Sequence, residues 1–258
     1  MAIDPFRLDG KSVLITGAGG GIGRSLVACF VRAGASVIGV DREAAAMSGL
    51  QLADQFAVEL GDTRATSQIV TSYLAEHGAP DIVISNAGFT RAETMDNLDI
   101  AVWESELAIN LNGAYAFTGP IVAAMAERGS GNLVFISSVN GLAHFGNPAY
   151  SAAKAGLIAY AKAIAVERGA RGVRANVVAP GSVRTPAWDH RLAADPGLLA
   201  KVLPHYPLGR LVSPDDVANT ALFLASPAAG GITGAVIPVD AGLTAGNLRF
   251  VDDVLRAT

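Results

Sequence analysis

Ser12-Val-Leu-Ile-Thr-Gly-Ala-Gly-Gly-Gly-Ile-Gly23 runs a short apolar stretch straight into five glycines. The run Ser12–Ile15, bounded by Lys11 and Thr16, has the length and composition of a buried strand, and Ile22 to Ala33 repeats its apolar residues at helical spacing. Glycines at Gly17, Gly20, Gly21 and Gly23 let the chain turn sharply between the two. They also let backbone N–H groups approach a pyrophosphate at the helix N-terminus, where unpaired donors and the helix dipole attract an anion. A second apolar run, Ser36–Val40, ends at Asp41, eighteen residues after Gly23. A carboxylate there accepts hydrogen bonds from an adenosine ribose diol; the competing possibility is a surface Asp that caps a helix.

Outward from this unit the alternation repeats. Phe56–Val58 reads as a strand, Ala65–His77 as a helix, and Asp81–Ser85 as a fourth strand ending in Asn86, Ala87 and Gly88. Leu133–Ile136 and Gly172–Val178 supply further strands, a helix follows Pro214 as far as Ala225, and Gly234–Asp240 reads as the last strand. Strand and helix in this rhythm predict an α/β protein with a doubly wound parallel sheet of about seven strands and helices on both faces. Ligands gather at the carboxyl ends of such strands, and Gly17, Asp41, Asp62, Asn86 and Ser138 all fall at or just past them.

Length and charge narrow the rest. The 258 residues suit a single domain spanning 1–258, with no linker-like stretch. A net charge of −4, with 16% charged residues, argues against a nucleic-acid or anionic-membrane surface and for a small-molecule partner. The single Cys29 lies in an apolar helical stretch and excludes an intrachain disulfide. The N-terminal Met-Ala-Ile-Asp-Pro-Phe-Arg lacks the apolar core of a secretory signal, so a cytoplasmic location is expected. His77, His144, His190 and His205 lack ligand-like spacing, and no metal site is expected.

The chemistry concentrates between Ser138 and Lys154. Tyr150-Ser-Ala-Ala-Lys154 spaces a phenol and an ammonium four residues apart, on one face of a helix beginning just after Pro148. A nearby cation favours phenolate and is expected to draw the phenol's pKa towards neutrality, making Tyr150 an acid/base. Ser138, at the end of the Leu133–Ile136 run, presents its hydroxyl to the same substrate oxygen. Asn140, His144 and Trp188 are expected to line the substrate pocket by their positions. The segment 182–212 carries four prolines with weak periodicity and reads as an irregular lid. From Leu107 to Ala126 there is no charge. Together with the Ala-rich helix Tyr150–Arg168 this stretch is expected to build a homo-oligomeric interface, not a membrane span.

With these residues in view, the chain resembles the short-chain dehydrogenase/reductase family over nearly its whole length. The motifs occur in family order: Thr16-Gly-x-x-x-Gly-Ile-Gly23, Ser85-Asn-Ala-Gly88, Asn110, Ser138, Tyr150-x-x-x-Lys154 and Pro180-Gly181. The resemblance implies a Rossmann-like fold, a homotetramer, and a catalytic tetrad of Asn110, Ser138, Tyr150 and Lys154. In it Lys154 holds a nicotinamide ribose and Asn110 anchors a water relay. It further implies cofactor contacts from Ile22, Asp62 and Thr63 near the adenine, from Asn86, Ala87 and Gly88 near the ribose, and from Pro180, Gly181, Val183 and Thr185 near the nicotinamide. Ser85 for the family's first Asn, and Asp240-Ala-Gly242 for its Asp-Gly-Gly, are departures away from the chemistry. NAD is favoured over NADP, because Gly20 stands where NADP users often carry Arg and Asp41 repels a 2′-phosphate; Arg42 is the one group placed to reach such a phosphate. The expected activity is an NAD(H)-dependent interconversion of a secondary alcohol and a ketone. The alternatives are a 3-oxoacyl-thioester reductase, with Arg128 and Arg171 meeting an acidic carrier, and a non-catalytic NAD-binding scaffold. Sugar alcohols, hydroxy acids, cyclic alcohols and steroids all remain open as substrates.

Overall fold

A computed structural model describes residues 4–91 and 93–256, with only the backbone of Ala187. The first three residues of the stretch read for a signal lie outside the described residues. Seven strands form one sheet in the order β3-β2-β1-β4-β5-β6-β7: β1 Ser12–Thr16, β2 Ser36–Asp41, β3 Asp54–Ala57, β4 Ile82–Ser85, β5 Gly131–Ile136, β6 Val173–Pro180 and β7 Val236–Val239. Every pairing is parallel, as the alternation predicts. The winding reverses between β1 and β4, and a crevice opens outside the strand ends at such a switch point.

Successive residues of β1 face opposite ways, and each face is covered. Val13 and Ile15 pack with Leu26 and Phe30 of α1 (Gly21–Arg32) and with Val217, Ala221 and Leu224 of α8 (Pro214–Ala225). Leu14 packs on the other face with Phe117, Ile121 and Met125 of α4 (Gly113–Arg128) and with Leu157, Ala161 and Ile164 of α5 (Pro148–Arg168). α2 (Thr63–His77) adds Val70 to this second layer. Burial on both faces explains why the strands read as unbroken apolar runs.

The uncharged stretch from Leu107 is not one uniform helix: it takes in the end of α3 (Ile100–Leu107), a π-turn over Ala108–Asn112, and most of α4. No helix among the described residues is long and apolar enough to cross a membrane. The segment 182–212 is less irregular than its prolines suggest, since it holds α6 (Pro186–Ala194) and α7 (Leu198–Val202). Pro186 occupies the first turn of α6, where a missing N–H costs nothing, so this proline starts a helix. The two ends of the segment are stitched side by side. Val183 bridges Val212, the Arg184 N–H donates to the Val212 carbonyl at 2.8 Å, and the Val212 N–H donates to the Ser182 carbonyl at 3.1 Å.

Candidate active site

The glycine loop is locked onto the neighbouring strand. Gly17 has a φ of +65°, and a Cβ there stands 2.9 Å from the Ala87 Cα; a Cβ on Gly23 stands 1.9 Å from the Gly17 carbonyl oxygen. No other residue type fits either place. The Asn86 amide donates to the carbonyls of Thr16 at 3.0 Å and Gly17 at 3.2 Å, while the Thr16 hydroxyl accepts the N–H groups of Asn86 and Ala87, each at 3.0 Å. β1 and β4 are thereby sewn together at the switch point. Gly20, the residue before α1, places no capping side chain over the helix, so the first-turn N–H groups stay open to an anion. Asp41 ends β2 with its carboxylate turned to this loop, accepting the Gly19 N–H at 2.9 Å and the Arg42 N–H at 2.7 Å. It caps no helix: the short turn that follows begins at Ala44 behind Glu43.

Around these groups lies a cleft of about 770 Å³, walled by Gly17, Gly19 to Gly23, Asp41, Arg42, Asn86 to Phe89 and Thr185. Open helix donors, a backbone without Cβ atoms and a carboxylate at the end of β2 fit a dinucleotide. Val58, Glu59 and Leu60 also line this cleft, whereas Asp62 and Thr63, expected beside the adenine, do not. The Asp62 carboxylate instead caps α2, accepting the Ala65 N–H at 2.9 Å.

A smaller cavity of about 180 Å³ continues from the cleft, sharing Ile22, Asn86, Gly88 and Phe89 with it. Ser138, Tyr150 and Lys154 line it together, as do Pro180, Gly181 and Val183. β5 delivers Ser138 just beyond its end, and the first two turns of α5 carry Tyr150 and Lys154. Lys154 is 2% exposed. Its ammonium donates to the Ile136 carbonyl at 3.0 Å and lies 5.5 Å from the centre of the Tyr150 ring. The Ser137 hydroxyl donates to the Lys154 carbonyl at 2.9 Å, closing the clamp between β5 and α5.

The charges do not balance as the spacing alone suggests. Burial pushes the Tyr150 phenol up to about 12; the hydrogen bond with Ser138 works against this, and the Glu106 carboxylate adds to it. Burial likewise pushes Lys154 down to about 8, with Glu106 pulling it back up. In the chain alone, loss of water dominates the phenol's shift, and the expected lowering is absent.

Asn110 is buried under the cavity, with its amide engaged by Phe89 and Glu106. Asn140 braces the loop after β5: its N–H donates to the Ser138 hydroxyl at 3.1 Å, and its amide donates to the Gly146 carbonyl at 2.7 Å and to the Ser151 hydroxyl at 3.1 Å. His144 is exposed, and Trp188 lies under the Arg191 guanidinium at 4.5 Å; neither is among the residues lining the two cavities. Glu106 carried no expectation, and its one signal in the sequence is the spacing of four residues to Asn110 on a helix face.

A family model described as enoyl-(acyl carrier protein) reductase matches residues 17–244. An uncharacterised oxidoreductase of Schizosaccharomyces pombe is 39% identical, covering 96% of this chain and 96% of its own. A 3-oxoacyl-[acyl-carrier-protein] reductase of Thermotoga maritima is 35% identical, covering 92% and 99%. A galactitol 2-dehydrogenase (L-tagatose-forming) of Cereibacter sphaeroides is 36% identical, covering 93% and 97%. Among solved structures, an oxidoreductase of the short-chain dehydrogenase/reductase family from Burkholderia thailandensis superimposes with a TM-score of 0.89 at 42% identity over 96% of this chain and 98% of the other. A gluconate 5-dehydrogenase from Burkholderia cenocepacia, in complex with NADP and tartrate, gives 0.86 at 28% identity over 94% and 98%.

Proposed function

The chain belongs to the short-chain dehydrogenase/reductase family and is an oxidoreductase acting on CH–OH donors, and on that premise we propose an NAD(H)-dependent enzyme that interconverts a secondary alcohol and a ketone. The observation that carries this is the convergence of Ser138, Tyr150 and Lys154 on one cavity continuous with the glycine-loop cleft. The loop and the first turn of α1 hold the pyrophosphate, Asp41 the adenosine ribose, and Lys154 the nicotinamide ribose. When bound, the nicotinamide supplies the hydride donor or acceptor. Ser138 orients the substrate oxygen. In reduction the Tyr150 hydroxyl gives its proton to the forming alkoxide; in oxidation the phenolate takes the alcohol proton. Asn110 anchors the helix turn behind Lys154.

NAD is preferred because Asp41 sets a carboxylate where a 2′-phosphate has to lie, and Arg42 already pairs with Glu43 at 3.4 Å. The 3-oxoacyl-thioester alternative loses one of its two basic residues, since the Arg128 guanidinium is occupied by the carbonyls of Pro80 at 2.8 Å and Ser130 at 3.0 Å. The chain is taken as one domain in which 182–212, joined at its two ends, closes as a lid. The exposed α4 and α5 face around Tyr115 and Val166 is taken as the tetramer contact, and the cytoplasm as the site of action.

The test is Tyr150→Phe. It retains NAD affinity in a binding titration and loses turnover by roughly 10²-fold or more across a panel of polyols, hydroxy acids and cyclic alcohols. With wild-type enzyme, alcohol oxidation climbs as pH rises, because a phenol pushed up to about 12 is protonated at neutrality. Undiminished turnover in Tyr150→Phe removes the phenol from the chemistry.

A further inference from the structure

Glu106, in the last turn of α3, is 4% exposed yet lines neither the cleft nor the cavity. One of its carboxylate oxygens accepts the Arg91 N–H at 2.7 Å, and the other accepts the Asn110 amide at 2.9 Å. That amide also donates to the Phe89 carbonyl at 2.7 Å and to the Glu106 carbonyl at 3.0 Å, while its oxygen accepts the Phe89 N–H at 3.1 Å. An anion that can only accept thus joins the Phe89 backbone in turning the Asn110 nitrogen towards it and the Asn110 oxygen the other way. The oxygen side meets Lys154 across a bare α-carbon, since a Cβ on Gly88 stands 2.9 Å from the Asn110 oxygen and 3.2 Å from the Lys154 nitrogen.

Packing does not require this arrangement. A buried carboxylate is expensive even when hydrogen-bonded, and a wholly apolar set of side chains in place of this polar cluster is usually at least as stable. Tyr150 and Lys154 of α5 are the titratable groups whose protonation senses this carboxylate. Arg91 reaches it through its backbone, while the side chains of Arg91, Asp96, Asp99, Glu104 and His144 are exposed and that of Glu93 is half-buried.

We propose that Glu106 is a positioning residue of the active site: its buried carboxylate fixes the Asn110 amide in one orientation and sets a negative charge behind the Tyr150–Lys154 pair. The role in turnover rests on the acid/base function of Tyr150, whereas the electrostatic coupling does not.

Both parts are read on Glu106→Gln, which keeps the shape and removes the charge. In the full chain without cofactor, melting of each background from pH 6 to 10, compared with that of its Lys154→Met derivative, isolates the Lys154 step at about 8. The Lys154 step moves to lower pH in Glu106→Gln and stays in place in the exposed Glu104→Gln. In turnover, kcat falls roughly 10- to 100-fold with KM for NAD unchanged, as expected of a misplaced partner and not of a lost binding contact. Should Glu106→Gln not fold, Glu106→Asn, a smaller neutral amide whose oxygen can still accept a hydrogen bond, is read in its place. A folded variant whose Lys154 step or kcat matches wild type overturns the proposal. Full activity in Tyr150→Phe instead marks the failure of the acid/base function, and the cofactor-free melting series still decides the coupling.

Discussion

Lys154→Met tests whether the active site is maintained at the expense of stability. The buried ammonium has its pKa pushed from 10.5 down to about 8, and this displacement already includes the attraction of Glu106. Two to three pH units correspond to about 3 kcal/mol by which folding is opposed at pH 7, relative to a neutral side chain in the same place. Methionine removes that opposition but leaves the Ile136 carbonyl, now bonded at 3.0 Å, without its partner, at about 1 kcal/mol. The net gain is about 2 kcal/mol, or roughly 4 °C in melting temperature for a chain of this size. The pH dependence carries the decisive sign. Between about 8 and 10.5 the unfolded wild-type chain holds a proton on this lysine that the folded chain has shed, so wild-type stability rises with pH across that window. Melting curves of both proteins from pH 6 to 10 therefore show the variant ahead at neutral pH, with the gap closing above pH 8, while turnover is lost throughout. A variant less stable than wild type at pH 7, or a gap constant with pH, refutes the claim that the ammonium is held at a cost.

Asp41→Ser removes the carboxylate that faces a 2′-phosphate; the ratio of kcat/KM for NAD to that for NADP falls by roughly 10-fold or more, and an unchanged ratio places the discrimination elsewhere. Asp216 sits in the capping box of α8 and pairs with Arg210 at 2.6 Å, which holds its carboxyl down at about 2. Asp216→Asn lowers stability by about 1 kcal/mol after allowing for solvent screening; because a depressed carboxylate stabilises only while ionised, the difference seen in melting at pH 7 fades as pH falls from about 4 towards 2. Tyr115→Glu places a charge on the exposed α4 face beside Tyr160, whose ring lies 5.5 Å away, and sedimentation then shows a smaller assembly than wild type.

Much of the architecture was legible because two periodicities carry it. The apolar runs of β1, β2 and β4 and the helical spacing of α1 follow directly from burial on both faces, and the glycines of the loop announce positions where a Cβ has no room. The four-residue spacing of Tyr150 and Lys154 likewise follows from helix geometry. Position along the chain was a poorer guide once a polar group had several places to go. Asp62 and Glu59 are both acids after β3, but the backbone bends into the cleft at Val58 to Leu60, and Asp62 is taken up by the first turn of α2. Asn140 reads as a pocket residue from its distance to Ser138, whereas its amide supports the loop from behind.

The electrostatics were the least legible part, because they depend on how much water each group loses. Spacing places an ammonium beside a phenol but does not reveal that the ammonium is buried and the phenol half-buried in a cavity wall, where loss of water reverses the sign of the phenol's shift. A glutamate in a helix ordinarily marks the solvent side, so Glu106 gave no hint of burial. Once Arg91 and Asn110 close around it, its charge opposes the phenolate and favours the ammonium. On the acid/base role proposed for Tyr150, a phenol held protonated at neutral pH is a proton donor suited to ketone reduction. Alcohol oxidation, on the same proposal, needs the phenolate, which burial and the Glu106 carboxylate both disfavour, and it is therefore the direction that gains most from high pH.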